Sequence, residues 1–342
     1  MLVAFGDTDT ARSSREAFEL LRTTLADGQR RKATIGGRGF STARMVIWHP
    51  DVGLWSLLDR NETPNRFWCC YGIEDPGNVR NLDIAVEVNP PLQGTDLRLG
   101  GAFARDARGR IHLCHTGKIG GGRRGISKTA FFEHYRGKLT EMSHARGLAN
   151  VVDLGPVDST RLPARLARFA KEVLRVKAAA HAAQTPHISS GAKQRDNRNK
   201  PSVFTPEFSG SRRAYARSGT TEAEADHGLV VDALVTAVER LHLVPNNDQQ
   251  RDLFVANHRD GGEILFEVKT DVRTTSIYTA VGQLLLNGRA HQRETQLVLV
   301  VPAPPTAQTR DALGAIGIHV LEYGWQRGKP EISTPELRRL IR

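Results

Sequence analysis

The stretch Arg251 to Lys269 reads RDLFVANHRDGGEILFEVK, and its pattern decides the fold expected for the second half of the chain. Two apolar runs flank a segment rich in turn residues, Asn257 to Gly262, which predicts two short strands joined by a turn. Within the second strand, successive side chains alternate between the two faces of a sheet. One face receives Ile264, Phe266 and Val268, and the other receives Leu265, Glu267 and Lys269. The strand is therefore predicted to have one wholly apolar face and one face that ends in a charged pair.

The turn would bring Asp252, at the start of the first strand, alongside Glu267 near the end of the second. Two carboxylates in this arrangement can share a divalent metal ion, and Lys269 would then lie one pleat away from it. The alternative interpretation is a solvated Glu-x-Lys ion pair on a strand surface, which would contribute little to the stability of the fold.

These residues resemble the D…(D/E)xK signature of the PD-(D/E)XK nucleases, which have the restriction-endonuclease-like fold. Asp252, the 15-residue step to Glu267, and the Glu-x-Lys sequence that ends at Lys269 match that signature. Arg251 departs from it, because the family's name has proline at this position. The resemblance covers residues 202–342.

The segments after the lysine follow the order of elements in this family. A helix is predicted from Thr275 to His291 and carries Gln283, as many members carry a glutamine on this helix. A buried strand is then predicted from Gln296 to Val301. The resemblance thus implies an α/β nuclease domain.

The resemblance also implies roles for individual residues. Asp252 and Glu267 would hold Mg²⁺, with the Val268 carbonyl as a further ligand and with Mn²⁺ as a substitute for Mg²⁺. Lys269 would orient or deprotonate the attacking water and offset developing charge. Gln283 would hydrogen-bond to the water, to Lys269 or to a phosphate.

An apolar stripe predicts one more helix ahead of the hairpin, from Thr221 to Leu243. Many nucleases of this fold place a metal-supporting acid on this helix. At 100° per residue, Asp232 and Glu239 lie opposite the stripe, whereas His227 lies at its edge and would point toward the sheet. His227 is therefore the candidate for the helix contribution, with Glu239 as the alternative. A third interpretation is that Asp226 and His227 only begin the helix.

Length and composition bound the class of protein. A chain of 342 residues exceeds the usual size of one core, so two domains are expected. Hydrophobic residues at 39% and charged residues at 25% are typical of a globular protein. No apolar run approaches the roughly 18 residues of a membrane span. The N-terminal sequence MLVAFGDTDTARSS lacks the pattern of a signal peptide, so a cytoplasmic protein without a membrane partner is expected.

The chain is strongly basic, with 48 Lys and Arg residues against 37 Asp and Glu residues and a net charge of +11. Such an excess favours a polyanionic partner, because each neutralised phosphate releases counterions. Double-stranded DNA is the partner that this charge and the nuclease resemblance together predict, and a homodimer is left open.

The first half of the chain is predicted to be mainly β. A helix over residues 12–27 is followed by six strand-like runs separated by turn residues: RMVIWHP, GLWSLL, RFWCCYGI, NLDIAVEVN, GGAFARD and RIHLCH. Trp48, Trp55 and Trp68 lie in these runs. Aromatic side chains can stack on an extruded base, but on strands they are more often part of the core.

The three cysteines are too few for a disulfide framework. A zinc site formed by Cys69, Cys70 and the run IHLCH lacks the C-x-x-C spacing of known sites, so buried thiols on strands are expected.

The segment GKIGGGRRGISK, residues 117–128, combines glycines with four cations: Lys118, Arg123, Arg124 and Lys128. Glycines let a backbone approach a phosphate closely, and the cations supply charge. Because the segment lacks the lysine of a Walker A loop, it does not imply ATP. Contact with the DNA backbone is the functional interpretation, and a flexible surface loop is the alternative.

A polar, basic segment at residues 185–201 follows a helix predicted from Leu162 to Ala183 and is typical of a linker. We therefore predict a DNA-recognising domain at residues 1–184 and a nuclease domain at residues 202–342. Near the start of the second domain, Arg212 and Arg213 are further candidates for phosphate contact.

The fold class expected is α+β, with an N-terminal mainly β domain followed by a C-terminal α/β restriction-endonuclease-like domain. The function expected is a Mg²⁺-dependent DNA endonuclease of restriction or defence type, whose first domain recognises a sequence or a modified base. The alternatives are a repair nuclease that acts on DNA structure, and a catalytically inactive DNA-binding protein with a nuclease-like fold.

Overall fold

The structure is a computed structural model and describes residues 1–6, 9, 11–37, 40–60, 65–79, 81–119, 126–184, 221–247, 251–258, 262–289 and 295–341. The chain has a mixed α+β architecture and divides into two compact units, residues 1–187 and 188–342. We call these the first unit and the second unit. The segment predicted as a linker, residues 185–201, lies outside the described residues.

In its described part, the first unit has three helices: α1 (Ala11–Leu25), α2 (Lys128–His134) and α3 (Leu162–Gln184). Its strands are β1 (Leu2–Ala4), β2 (Gln29–Gly37), β3 (Phe40–His49), β4 (Leu54–Asp59), β5 (Trp68–Gly72), β6 (Asn81–Asp83), β7 (Val86–Glu87), β8 (Gly101–Arg105), β9 (Ile111–His115), β10 (Thr140–His144) and β11 (Gly147–Pro156).

One sheet of the first unit has the strand order β6-β2-β3-β4-β5-β7. Only two residues separate its edge strands β6 and β7 in the chain, so the sheet must curl round on itself. Its inner face holds Trp48, Trp55 and Cys70, which are buried together with Val46 and Leu57. Trp48 and Trp55 are therefore core residues, and Trp68 is partly buried against the same cluster.

The neighbouring cysteines Cys69 and Cys70 lie on opposite faces of β5, since Cys69 belongs to a separate core with Phe18 and Tyr71. Both thiols and that of Cys114 are free and buried, and burial raises the pKa of each of them. The expectation of buried strand thiols is confirmed.

The second sheet of the first unit is a closed barrel with the order β1-β10-β11-β9-β8. Small side chains, among them Ala4, Ala102 and Ala104, pack inside it with Cys114 and Met142. Helix α3 packs its apolar residues into the large core that contains Phe103 and Leu113.

The second unit has four helices among its described residues: α4 (Thr221–Glu239), α5 (Thr274–Arg289), α6 (Ala307–Ala315) and α7 (Thr334–Leu340). Its strands are β12 (Pro245–Asn246), β13 (Leu253–His258), β14 (Gly262–Val268), β15 (Thr295–Val301), β16 (Ile318–Gln326) and β17 (Lys329–Ile332).

These six strands form one sheet in the order β12-β13-β14-β15-β16-β17, in which β14, β15 and β16 are parallel. Helices α4 and α7 cover one face, and α5 and α6 cover the other. The central strands ILFEV and LVLVV are apolar on both sides because helices bury both faces of a parallel sheet.

The alternation predicted for β14 is confirmed. Ile264, Phe266 and Val268 lie in the core on the side of α4, whereas Leu265 lies in the core on the side of α5. The helix and strand predicted after the lysine also occur, with bounds that differ by one or two residues.

Three expectations about elements were wrong. The apolar stripe predicted for α4 was too narrow, because Val231, Val235 and Val238 are buried in addition to residues of that stripe. The predicted stripe consisted of Leu229, Val230, Ala233, Leu234, Ala237 and Leu241. This helix also ends at Glu239 rather than at Leu243, and His242 shortly after it has a φ of 60°, which no helix can continue through. The sequence QRRKATIGG was not expected to form a strand, yet β2 pairs with β3 along its whole length.

No helix in the described part of the chain combines the length and the apolar character needed to cross a membrane.

Candidate active site

The hairpin of β13 and β14 sets the position of the candidate carboxylates. Leu253 pairs with Phe266, so continuing this register by one residue places Asp252 opposite Glu267. Both residues therefore lie at the same end of neighbouring strands. The spacing predicts this register, but the two carboxylates have partners on different helices: Asp252 meets His227 of α4, whereas the ammonium that pairs with Glu267 also meets Gln283 of α5.

Lys269 lies between two acceptors. Its Nζ donates to Oε1 of Glu267 over 2.6 Å and to Oε1 of Gln283 over 2.9 Å. The Glu267 side chain is 3% exposed and the Lys269 side chain 19% exposed, so the ion pair is not the solvated surface pair of the alternative interpretation. The structure thus brings together three of the residues singled out in the sequence.

The main chain at Lys269 accepts and donates hydrogen bonds with residues of β15 and β16. Its N–H donates to the carbonyl of Val300 over 2.9 Å, which extends the pairing of β14 with β15. The Tyr323 hydroxyl of β16 donates to the carbonyl of Lys269 over 3.4 Å. Tyr323 was not among the sequence candidates. It lies within β16, and its burial, which distinguishes it, cannot be read from the local sequence.

The turn from Lys269 into α5 is fixed by Asp271. This carboxylate accepts from the main-chain N–H of Arg273 at 3.0 Å and from its Nε at 2.9 Å. Burial of Asp271 would by itself raise the pKa of its carboxyl, but hydrogen bonds from Arg273 and Ser276 outweigh it and lower the pKa to about 2. The connection that places Gln283 over Lys269 therefore carries an ionised carboxylate at neutral pH.

Asp252 is held from two sides through its Oδ2 atom. Val268 donates its main-chain N–H to this oxygen over 2.8 Å, and Nε2 of His227 donates to it over 3.2 Å. His227 projects from α4. The helix that was predicted to supply a supporting residue to the site therefore does contact Asp252. The competing candidate Glu239 is the last residue of α4 and is exposed, and Asp226 is buried.

No group of three or more His, Cys, Asp and Glu side chains that could hold a metal ion occurs within the described residues. The donor set at the ends of β13 and β14 nevertheless fits Mg²⁺ in its chemistry, because Mg²⁺ takes oxygen ligands, needs only one or two carboxylates and retains waters. Asp252, Glu267 and the Val268 carbonyl would hold it.

The basic candidates are only partly within the described residues. Lys118 is exposed, and Gly117 before it has a φ of 84° and packs against Phe132. Lys128 begins α2 and places its Nζ 5.5 Å from the centroid of the Phe132 ring, and burial lowers the pKa of this lysine. Arg123, Arg124, Arg212 and Arg213 lie outside the described residues.

Comparisons with known proteins leave the family open. No protein-family model matches the chain, and the comparison with curated proteins found no match. Among solved structures, a repair endonuclease from Pyrococcus abyssi is similar over 95% of this chain and 99% of that chain, with 10% identity and a TM-score of 0.24. A TM-score this low does not demonstrate a shared fold, and nothing about the chemistry of this chain follows from it.

Proposed function

We propose that this chain is a Mg²⁺-dependent DNA endonuclease of restriction or defence type, with a second unit of the PD-(D/E)XK kind and a first unit that binds the DNA. One observation carries the proposal. The Lys269 ammonium is shared between Glu267 on β14 and Gln283 on α5, at the end of the hairpin where Asp252 also lies. A lysine that serves only as a surface charge needs neither a buried carboxylate nor a second acceptor from another element.

Hydrolysis of a phosphodiester needs a nucleophilic water and stabilisation of the negative charge that develops on the phosphate oxygens. An ammonium has three donors, and Glu267 and Gln283 accept two of them. The third would donate to the attacking water or to a phosphate oxygen. Because its two partners define the direction of the ammonium, Lys269 would be oriented before the substrate arrives.

Asp252 and Glu267, with the Val268 carbonyl, would hold the metal ion. When bound, Mg²⁺ supplies a Lewis acid that activates water and neutralises phosphate charge. The hydrogen bonds from Val268 and His227 hold the Asp252 carboxylate at the sheet end, where it would be needed. Thus His227 would act through Asp252 and not on the phosphate itself.

The first unit would supply affinity for double-stranded DNA. The net charge of +11 supports a polyanionic partner, and the exposed Lys118 and the N-terminal Lys128 of α2 lie near the two ends of the glycine-rich segment. Contacts of this kind position a protein on the duplex and do not by themselves read its sequence.

Cleavage assays would test this function. The full chain should cut at least one of two plasmids, prepared with and without base methylation, when Mg²⁺ is present, and a chelator should stop the reaction. Cleavage confined to branched or flapped substrates would replace the restriction role with a structure-directed repair role. Binding of DNA without cleavage of any substrate, in Mg²⁺ or Mn²⁺, would identify an inactive DNA-binding protein.

A further inference from the structure

Arg251 directly precedes Asp252 and forms a buried ion pair with the far end of the hairpin. Its Nη1 donates to both carboxylate oxygens of Glu263, over 3.0 and 3.1 Å. Its guanidinium also stacks over the ring of Phe254, with the Cζ atom 3.5 Å from the ring centroid. The two charged side chains are only 9% and 4% exposed.

Such a pair is an unusual way to stabilise a strand. Removing two charges from water is costly, and apolar residues of similar size often stabilise a protein as well or better. The cation–π contact with Phe254 offsets part of this cost but does not require the partner carboxylate. The Arg251–Glu263 pair is therefore better explained by the position it imposes than by stability.

The pair affects the face of the sheet toward which the Asp252 side chain points. Phe254 belongs to the core on the side of α5, and Leu253 and Val255 belong to the core on the side of α4. Regular alternation back along the chain would place Asp252 on the side of Phe254. Instead, the Arg251 guanidinium occupies that side, and the Asp252 carboxylate meets His227 of α4.

We propose that Arg251 is a positioning residue: its buried contact with Glu263 and Phe254 fixes the chain ahead of β13 and so holds the Asp252 carboxylate at the sheet end, between the Val268 N–H and His227. This inference rests on the proposed function, in which Asp252 is a metal ligand. It concerns this chain's own sequence, because Arg251 stands where the signature of the resembled family has proline.

The test is a double variant, R251M/E263Q, which removes both charges and leaves no buried charge unpaired. Substitution of a residue that contacts a metal ligand, but not the metal itself, typically lowers metal affinity by about 10–100-fold. We expect the dissociation constant for Mn²⁺, measured by calorimetry on the full chain without DNA, to rise about tenfold. Cleavage should fall at limiting metal and recover at high metal, with the KM for DNA unchanged.

Two further variants complete the design. R310M/E322Q removes an exposed ion pair of the same unit, whose Arg310 Nη2 lies 2.9 Å from Glu322 Oε1, and should leave Mn²⁺ binding unchanged. R251K keeps the charge but loses the stacked guanidinium, and should give an intermediate Mn²⁺ affinity. It provides the same comparison if the double variant does not fold.

The outcomes separate the two proposals. A wild-type chain that binds Mn²⁺ and cuts DNA, with R251M/E263Q and R251K indistinguishable from it in both, would overturn the role of Arg251 alone. A wild-type chain that neither binds Mn²⁺ nor cuts DNA would overturn the proposed function, and the role of Arg251 with it.

Discussion

Lys269 donates a hydrogen bond of 2.9 Å from its Nζ to Oε1 of Gln283, fourteen residues further along the chain and on a different element. The same ammonium pairs with Glu267, two residues earlier on its own strand. Local sequence thus provides one partner, and the packing of α5 against the sheet provides the other.

The amide of Gln283 should control how fast the chain cuts DNA, but not how tightly it binds. Gln283→Leu removes the acceptor that orients Lys269, and misplacement of a catalytic group by about 1 Å can cost on the order of 100-fold in rate. We expect kcat for plasmid cleavage to fall by about that factor with KM unchanged. Leu286→Ala, an exposed position on the same helix, is the matched control and should cut at the wild-type rate. Equal rates for both variants would remove Gln283 from the site.

Substitution of Lys269 alone, or together with Glu267, should affect stability differently but should abolish DNA cleavage in both cases. Lys269→Met removes the ammonium that pairs with the buried Glu267 carboxylate, and breaking a buried ion pair in this way costs about 3 kcal/mol. The double variant K269M/E267Q should recover most of that unfolding free energy in urea titrations, because no buried charge is left unpaired. It should still cut no DNA. Recovery of cleavage in the double variant would show that the pair is structural only.

The arginines of the glycine-rich segment should strengthen binding to all duplexes equally. Replacing Arg123 and Arg124 with alanine should lower the slope of log affinity against log salt by about one to two units, near one per lost phosphate contact. Fluorescence anisotropy at several salt concentrations would measure this slope. R12A/R22A removes the same charge from exposed ion pairs of α1 and should change the slope less. A loss of discrimination between DNA sites at unchanged slope would instead indicate contacts to base edges.

His115 should make the first unit less stable in acid. Burial between Phe131 and Phe169 lowers the pKa of this histidine to about 3, compared with an ordinary value of 6.5. Between these two pH values the unfolded chain binds a proton that the folded chain does not, so this group's contribution to stability is fully present above pH 6.5 and is lost as the pH falls toward 3.

The size of this effect can be measured with His115→Gln, which removes the titrating group. Within the window the wild type should lose about 1.4 kcal/mol more unfolding free energy per pH unit than the variant. Urea titrations of the full chain at pH 5, 6 and 7 can follow tryptophan fluorescence, since Trp48, Trp55 and Trp68 report on the first unit. Parallel pH profiles for the two proteins would show that His115 accepts a proton without unfolding.

Local periodicity explains which elements could be predicted. Strand β14 and helix α5 have clear periods of two and 3.6 residues, and their positions were predicted to within one or two residues. Strand β2 has charged residues where a strand usually has apolar ones, since it pairs with β3 through its main chain while Arg30, Arg31 and Lys32 remain exposed. No local signal distinguishes such a strand from a polar loop.

By itself, the sequence determined that Glu267 and Lys269 share one strand face and that Asp252 lies across the hairpin from them, because strand alternation and a short turn are local properties. Only the tertiary structure decided that Gln283 provides the second hydrogen-bond acceptor for Lys269 and that His227 contacts Asp252. Those contacts depend on how α5 and α4 pack on opposite faces of the sheet. It also decided that Asp252 turns toward α4, because the guanidinium of Arg251 is buried on the other face against Phe254 and Glu263. Strand alternation alone would have placed the Asp252 carboxylate on the side of α5. The alternation pattern does not include the long side chain of Arg251, which is held by Glu263, twelve residues further along the chain.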